Sequence, residues 1–346
     1  MKGLKRTVAF GLLLSIVFML AACAPETGGQ EPSGKITVTD VTGRELVFDE
    51  PATKVVGTHN PSLNAVVVLG GGDKYIVGFG NKDMARGLYE RVIEGFAELT
   101  QIGKGKNINL ETVAATGADL AVIPERFKDQ VEEYEKVEVP AIVALPNDES
   151  FEKVKETMSM LGKVLGETER ADKIIEFFDN KIAETKGIAA NATDNQKVLF
   201  LGGSSPLSVA PAAMIQTELI EAAGGINAVS GIDVKGDFAD VNIEQIIAWN
   251  PDVIWFPAYA DFTAEDLIND PAWGSINAIK NKAVYKFPSE LEPWDQPTAA
   301  VSLGVCWATH NLHPELYSLD DLKKDVDEFY NLVYGKTFTV EELGLE

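Results

Sequence analysis

The sequence predicts an α/β protein of two lobes, each a mostly parallel sheet flanked by helices, joined by one long helix. Three observations carry this. A gap-free repeat falls once in each half: NLETVAATGADLAVIP, Asn109 to Pro124, and NIEQIIAWNPDVIWFP, Asn242 to Pro257, stand 133 positions apart and share Asn, Glu, Ala, Asp and Pro. Each copy reads as an N-cap Asn, a short helix, a turn and a buried strand. Between the copies, Thr168 to Lys186 repeats Ala171, Ile174, Ile175, Phe178, Ile182 and Ala183 at helical spacing. That stretch would span ~28 Å, enough to cross between two lobes, with Thr168 as its N-cap and Gly187 as its stop. Finally, 346 residues exceed what one core needs and suit two.

The chain divides accordingly. Residues 1–22 read as a signal peptide: Lys2, Lys5 and Arg6 precede an apolar run, Val8 to Leu20, too short for a comfortable membrane span. Leu20-Ala21-Ala22-Cys23 resembles the lipobox of bacterial lipoproteins, and that resemblance implies lipid modification of Cys23. Residues 23–35, rich in Gly, Pro, Glu and Ser, form a flexible tether. The N-terminal lobe is 36–148, a helical linker containing the interlobe helix is 149–190, and the C-terminal lobe is 191–346. With Cys23 acylated, Cys306 has no disulfide partner and reads as a small buried hydrophobe.

Within the first lobe, Ile36 to Pro51 alternates around Thr42-Gly43 as a hairpin. A strand at Lys54 to Gly57 leads through Thr58 and His59 to a helix with Asn60 as N-cap and Pro61 at its first position. Tyr75 to Gly78 is a strand ending near Asn81, and the first repeat copy delivers Arg126. Because these turns follow strands of a parallel sheet, they stand at its ligand-binding edge. In the second lobe, Lys197 to Leu201 leads to Ser205 and the second repeat copy leads to Tyr259. Thr263 with Asp266 reads as a capping box. The stretch 290–297 reads as an exposed loop carrying Trp294, followed by helices over 299–312 and 322–334.

Charge narrows the function. With 53 acidic against 30 basic residues the formal charge is −23, which repels nucleic acid and anionic lipid. Gly203-Ser204-Ser205 lacks the spacing of a nucleophile elbow, Gly103-Lys104-Gly105-Lys106 is a turn rather than a phosphate loop, and neither CxxC nor HExxH occurs. No catalytic residue, bound metal or cofactor is expected. His310 and His313 read as a solvated helix terminus, and His59 as a polar contact rather than a metal ligand.

Taken together, the lipobox, the ITVTDVTGRELVF opening, the paired NLE and NIE units around a long helix, ELIEAAGG, WNPDVIWF and the late PWDQP loop resemble the substrate-binding proteins of bacterial iron-complex ABC importers, the type with a rigid interlobe helix. The likeness covers nearly all of the mature chain. It implies a non-enzymatic, monomeric lipoprotein, lipid-anchored on the outer face of the cytoplasmic membrane or periplasmic in a two-membrane bacterium. Such a protein captures a metal complex, a ferric siderophore as first expectation, and passes it to an ABC permease and its ATPase. Haem, a cobamide or an oxyanion such as molybdate is the alternative on this scaffold, and a surface hydrolase a remoter one. Glu111 and Glu244 fall where the family places permease-docking carboxylates, and the first turn of a helix favours negative charge there. Ligand contacts are expected at His59, Asn81, Arg126, Ser205, Tyr259 and Trp294. Aromatics offer flat apolar area, and Arg126 and Lys82 suit an anionic guest.

Overall fold

The computed structural model describes residues 34–345 apart from 83, 84, 194, 233, 235 and 236; the leader, Cys23 and the tether up to residue 33 lie outside them. The opening hairpin pairs β1 (Ile36–Thr39) with β2 (Glu45–Phe48). There follow β3 (Val55–Gly57), α1 (Asn60–Gly70), β4 (Ile76–Phe79), α2 (Gly87–Val92), β5 (Thr100–Gln101), β6 (Gly103–Lys104), β7 (Asn107–Ile108), α3 (Leu110–Thr116), β8 (Leu120–Pro124), α4 (Val131–Glu135) and β9 (Ala141–Leu145). The five strands of the main sheet lie in the order β5-β4-β3-β8-β9, all parallel. The chain passes to the second lobe through α5 (Phe151–Val164) and α6 (Thr168–Ala189).

The second lobe comprises β10 (Lys197–Phe200), β11 (Ser208–Val209), α7 (Ile215–Ala222), β12 (Ile226–Asn227), β13 (Ala239–Asp240), α8 (Ile243–Trp249), β14 (Val253–Pro257), α9 (Ala264–Asn269), α10 (Asn277–Lys280), β15 (Val284–Phe287), α11 (Val301–Leu312), α12 (Leu319–Tyr334) and α13 (Val340–Leu343). Its sheet runs β12-β10-β14-β15, again all parallel. Asn109 and Asn242 cap α3 and α8 as the repeat requires, Asn242 in a full capping box with Gln245.

Alternation along the strands explains how two sheets share one body. Val55, Leu120, Val122, Ile142 and Ala144 of the first sheet, with Val198, Phe200, Val253 and Trp255 of the second, enter a common core with α1, α5, α6, α7, α11 and α12. Their neighbours one residue away point to the opposite faces. Val56, Ala121, Ile123, Ala141 and Val143 form a separate core in the first lobe, and Leu199, Leu201, Ile254 and Phe256 another in the second. Period two thus assigns every other residue to the shared layer. Sheets covered on both faces need such continuous apolar runs.

Several expectations are corrected. The interlobe helix runs on through Gly187 to Ala189, and Glu167 rather than Thr168 takes the N-cap position. Its buried stripe is Ala171, Ile174, Phe177, Phe178, Lys181 and Thr185, while Ala183 is exposed. Lys181 belongs there because its Nζ reaches Asp325 Oδ1 of α12 at 2.7 Å and Glu184 at 3.0 Å, and the Tyr317 hydroxyl donates to the other Asp325 oxygen. His59, not Asn60, takes the N-cap position of α1. Gly105 and Lys106 turn a small antiparallel hairpin between β6 and β7, where the sequence predicts a simple turn. His313 is buried and bonds the Ala223 carbonyl, and His310 bonds that of Tyr317, so neither is a merely solvated terminus. Cys306 is buried, and burial pushes its thiol up to about 12. Among the described residues no helix is long and apolar enough to cross a membrane.

The Lys181–Asp325 pair gives a stability prediction. Asp325→Ala leaves a buried ammonium without its main partner and should cost about 3–5 kcal/mol in urea unfolding, whereas Lys181→Met with Asp325→Leu should recover most of the loss.

Candidate ligand site

Strand order locates the site. In the first sheet, β3 sends its connection through α1 to β4 on one side, while β8 lies on the other, so the turns after β3 and β8 part and open a crevice. The second sheet repeats this at β10 and β14. Between the lobes lies a cavity of about 760 Å³. His59 after β3, Arg126 after β8 and Tyr259 after β14 all line it, as does Asn81.

His59 and Arg126 meet directly. The Arg126 guanidinium, which can only donate, points at His59 Nε2, while Nδ1 stands 2.8 Å from Ser62 Oγ and 3.4 Å from the Ser62 N–H that it caps. Burial, reinforced by the Arg126 charge, pushes the imidazole down to about 3. The ring is therefore neutral with both nitrogens engaged. Arg126 itself is exposed, packs over the Phe127 ring at 5.6 Å, and acts through space on the Glu149 carboxyl, which burial raises to about 7. Asn81 adopts a left-handed φ of 53°, which Asn tolerates better than most residues, and its Nδ2 holds the Thr58 carbonyl at 2.8 Å.

Tyr259 donates from its hydroxyl to Asp295 Oδ2 at 2.9 Å. Burial and that neighbouring carboxylate raise the phenol well above its ordinary value, so it stays protonated. A Cβ on Gly203 would lie 2.7 Å from the Tyr259 ring, so the glycine after β10 is what lets the ring seat. From the opposite lobe Arg86 lies over the same ring, 5.6 Å from its centroid, and 3.8 Å from Glu290. The cavity floor is acidic but buried: Glu292 accepts from Asn64 Nδ2 at 3.0 Å and from the Tyr330 hydroxyl at 2.9 Å, and burial lifts it to about 7. Beside it, burial raises Asp295 to about 6.

Of the six expected contacts, four line the cavity and two do not. Ser205 turns into its own loop, where its Oγ accepts from the Leu207 N–H at 3.1 Å. Trp294 is fully buried and donates to the Tyr330 hydroxyl, so the loop expected to be exposed over 290–297 is interior from Leu291 on, with Glu290 exposed. Lys82 is likewise unavailable: its ammonium is spent on the carbonyls of Ala97 and Leu99. Arg86, Asn64, Glu292 and Thr298 line the cavity without having been singled out as site residues. Asn64 could have been found from its place four residues after Asn60, a polar residue interrupting an otherwise apolar helix. Glu111 and Glu244 occupy matching first-turn positions of α3 and α8, both exposed.

The titration of this site has opposite signs at its two ends. The folded His59 value lies below the ordinary 6.5, so the unfolded chain binds the proton first and stability is lost as pH falls from about 6.5 toward 3. Glu292, raised from 4.5 to about 7, favours the folded state below 4.5 and loses that contribution as pH rises through 7. In NMR titrations the His59 ring should remain neutral from pH ~8 to ~5, and Arg126→Ala should move its midpoint upward. A midpoint near 6.5 in the unaltered protein would contradict the assigned geometry.

A family profile described as periplasmic binding protein matches residues 56–291. The molybdate-binding protein MolA of Haemophilus influenzae is 22% identical over 326 residues, covering 87% of this chain and 91% of that protein. An uncharacterized ABC transporter substrate-binding lipoprotein of Bacillus subtilis, YvrC, is 21% identical over 325 residues, covering 90% and 99%. Among solved structures, a periplasmic solute binding protein from Veillonella parvula superposes with a TM-score of 0.76 at 23% identity, over 89% of this chain and 95% of that one.

Proposed function

Since the chain belongs to the periplasmic binding protein family, the extracytoplasmic solute-binding components of ABC importers, we propose that its solute is an anionic organic metal complex of the ferric siderophore class. The observation that carries this reading is the pairing of a cavity of about 760 Å³ with Arg126, an exposed guanidinium at its wall. Cavities of that size suit drug-sized organic guests. A tetrahedral oxyanion, on the order of 100 Å³ if each oxygen is counted near a water's share, would leave most of the space unfilled. Arg126 and Arg86 present forked donors suited to catecholate or carboxylate oxygens. Axial ligation of haem finds less support, because both His59 nitrogens are engaged and Tyr259 is held as a protonated phenol.

A second reading, oxyanion capture, draws its support from the name of the Haemophilus relative. Titrations monitored by tryptophan fluorescence separate the two. A ferric tris-catecholate should bind the unaltered protein, and Arg126→Ala should weaken it about 10- to 100-fold, as expected for loss of one charge-assisted contact. Binding of molybdate with no response to the catecholate would favour the oxyanion.

Delivery completes the reading. Acylated Cys23, outside the described residues, would hold the protein at the membrane surface, as the description of the Bacillus relative as a lipoprotein suggests by analogy. Exposed Glu111 and Glu244 would dock the two lobes on a permease served by its ATPase. Glu111→Lys combined with Glu244→Lys should abolish uptake by whole cells while leaving ligand affinity unchanged. Full uptake by that double variant would refute the docking role.

A further inference from the structure

Besides Arg126 and Arg86, polar groups of both lobes line the cavity. On the floor, hydrogen-bond directions can be followed atom by atom. The Trp294 indole N–H, which can only donate, points to the Tyr330 oxygen at 3.1 Å, so the Tyr330 proton goes to Glu292 Oε1. Asn64 Nδ2 supplies the other carboxylate oxygen. This orients the Asn64 amide and turns its Oδ1 away from Glu292, where it is buried with no partner among the described residues. Asn60 Oδ1, one turn earlier on the same face of α1, is in the same condition, and so is Thr298 Oγ1 from the other lobe. All four residues line the cavity.

Buried polar atoms are nearly always paired, because leaving one unpaired forfeits its solvation. Three such oxygens, on residues of both lobes that line one cavity and backed by a carboxylate, match a guest that donates hydrogen bonds once side-chain rotation brings them to the cavity surface. We propose that Asn60, Asn64 and Thr298, supported by Glu292, form a second subsite that takes a hydrogen-bond-donating arm of the guest, a hydroxyl, amide N–H or ammonium group. The cavity then selects a dipolar guest: its anionic metal-binding end against Arg126 and Arg86, its donor arm on the floor. This inference rests on the anionic-complex reading above, and its test separates the two.

The probes are ferric complexes of 2,3-dihydroxybenzoyl-lysine, 2,3-dihydroxybenzoyl-6-hydroxynorleucine and 2,3-dihydroxybenzoyl-norleucine, which share the catecholate end and differ in the arm. Either polar arm should improve binding about tenfold or more over the norleucine arm. Asn64→Leu and Thr298→Val should abolish that preference, whereas Arg126→Ala should weaken all three complexes and keep it. Equal affinities for the three arms in the unaltered protein would overturn the subsite and leave the anionic-complex reading standing. Failure of all three to bind would overturn both. A ligand-free readout guards the argument: Thr298→Val should melt no lower than the unaltered protein, and a clear drop would show that the hydroxyl is already satisfied within the fold.

Discussion

The loop between β15 and α11 is the constraint on which the rest of the architecture depends. It carries Glu292 and Asp295 into the interior, where burial raises both carboxyls; both Glu292 oxygens are paired, and Asp295 is held through Oδ2 while its Oδ1 has no partner among the described residues. Ser289 Oγ gathers the Leu291 and Glu292 N–H groups and donates to the Glu292 carbonyl, which shapes the loop from within. From that frame Glu292 reaches Asn64 in the first lobe and Tyr330 in the second, and the Leu291 carbonyl accepts from Leu88 N. Asp295 receives the Tyr259 hydroxyl, and its carbonyl receives Gln216 Nε2 at 2.9 Å. A single buried loop therefore fixes the back of the cavity and joins both lobes across it. The shared core beneath works in the same direction, since residues from both sheets pack into one layer with α6.

Pseudo-symmetry then accounts for where the working groups stand. Both sheets reverse their strand order beside their first strand, so each lobe offers a crevice at the carboxyl ends of two strands. The first lobe fills its crevice with His59 and Arg126, the second with Tyr259 and the glycine turn that admits its ring. The contents differ even though the scaffold is duplicated. Cationic donors come from one lobe, while the second contributes a neutral phenol and, through its loop, buried carboxylates. A neutral His59 keeps the wall's positive charge on Arg126, where an anionic guest can meet it.

Much of this was legible in the chain itself, for identifiable reasons. Buried parallel strands declare themselves as apolar runs, and the Asn caps at positions 109 and 242 fixed the repeat's register, so both sheets and the turns carrying His59, Arg126 and Tyr259 could be read directly. The 290–297 stretch misled because Glu, Asp, Gln and two prolines look solvent-facing in sequence. Only tertiary partners distant in the chain, Asn64, Tyr259 and Tyr330, make its burial tolerable. Lys181 was hidden for the same reason: a lysine in an apolar stripe reads as a break in periodicity until Asp325 appears, 144 residues away. Lys82 and Ser205 sat on the expected edge, but local carbonyls and amides claim their polar atoms, and residue type alone does not reveal such capture.

The account's central claim is that one organic metal complex per chain sits between the lobes. Native mass spectrometry of the protein purified from its own host under gentle conditions, with an absorption spectrum of the same sample, tests it most directly. The account predicts one adduct of siderophore mass per chain together with a visible charge-transfer band. A colourless sample whose added mass is that of a single tetrahedral oxyanion, or one showing a Soret band, would contradict it.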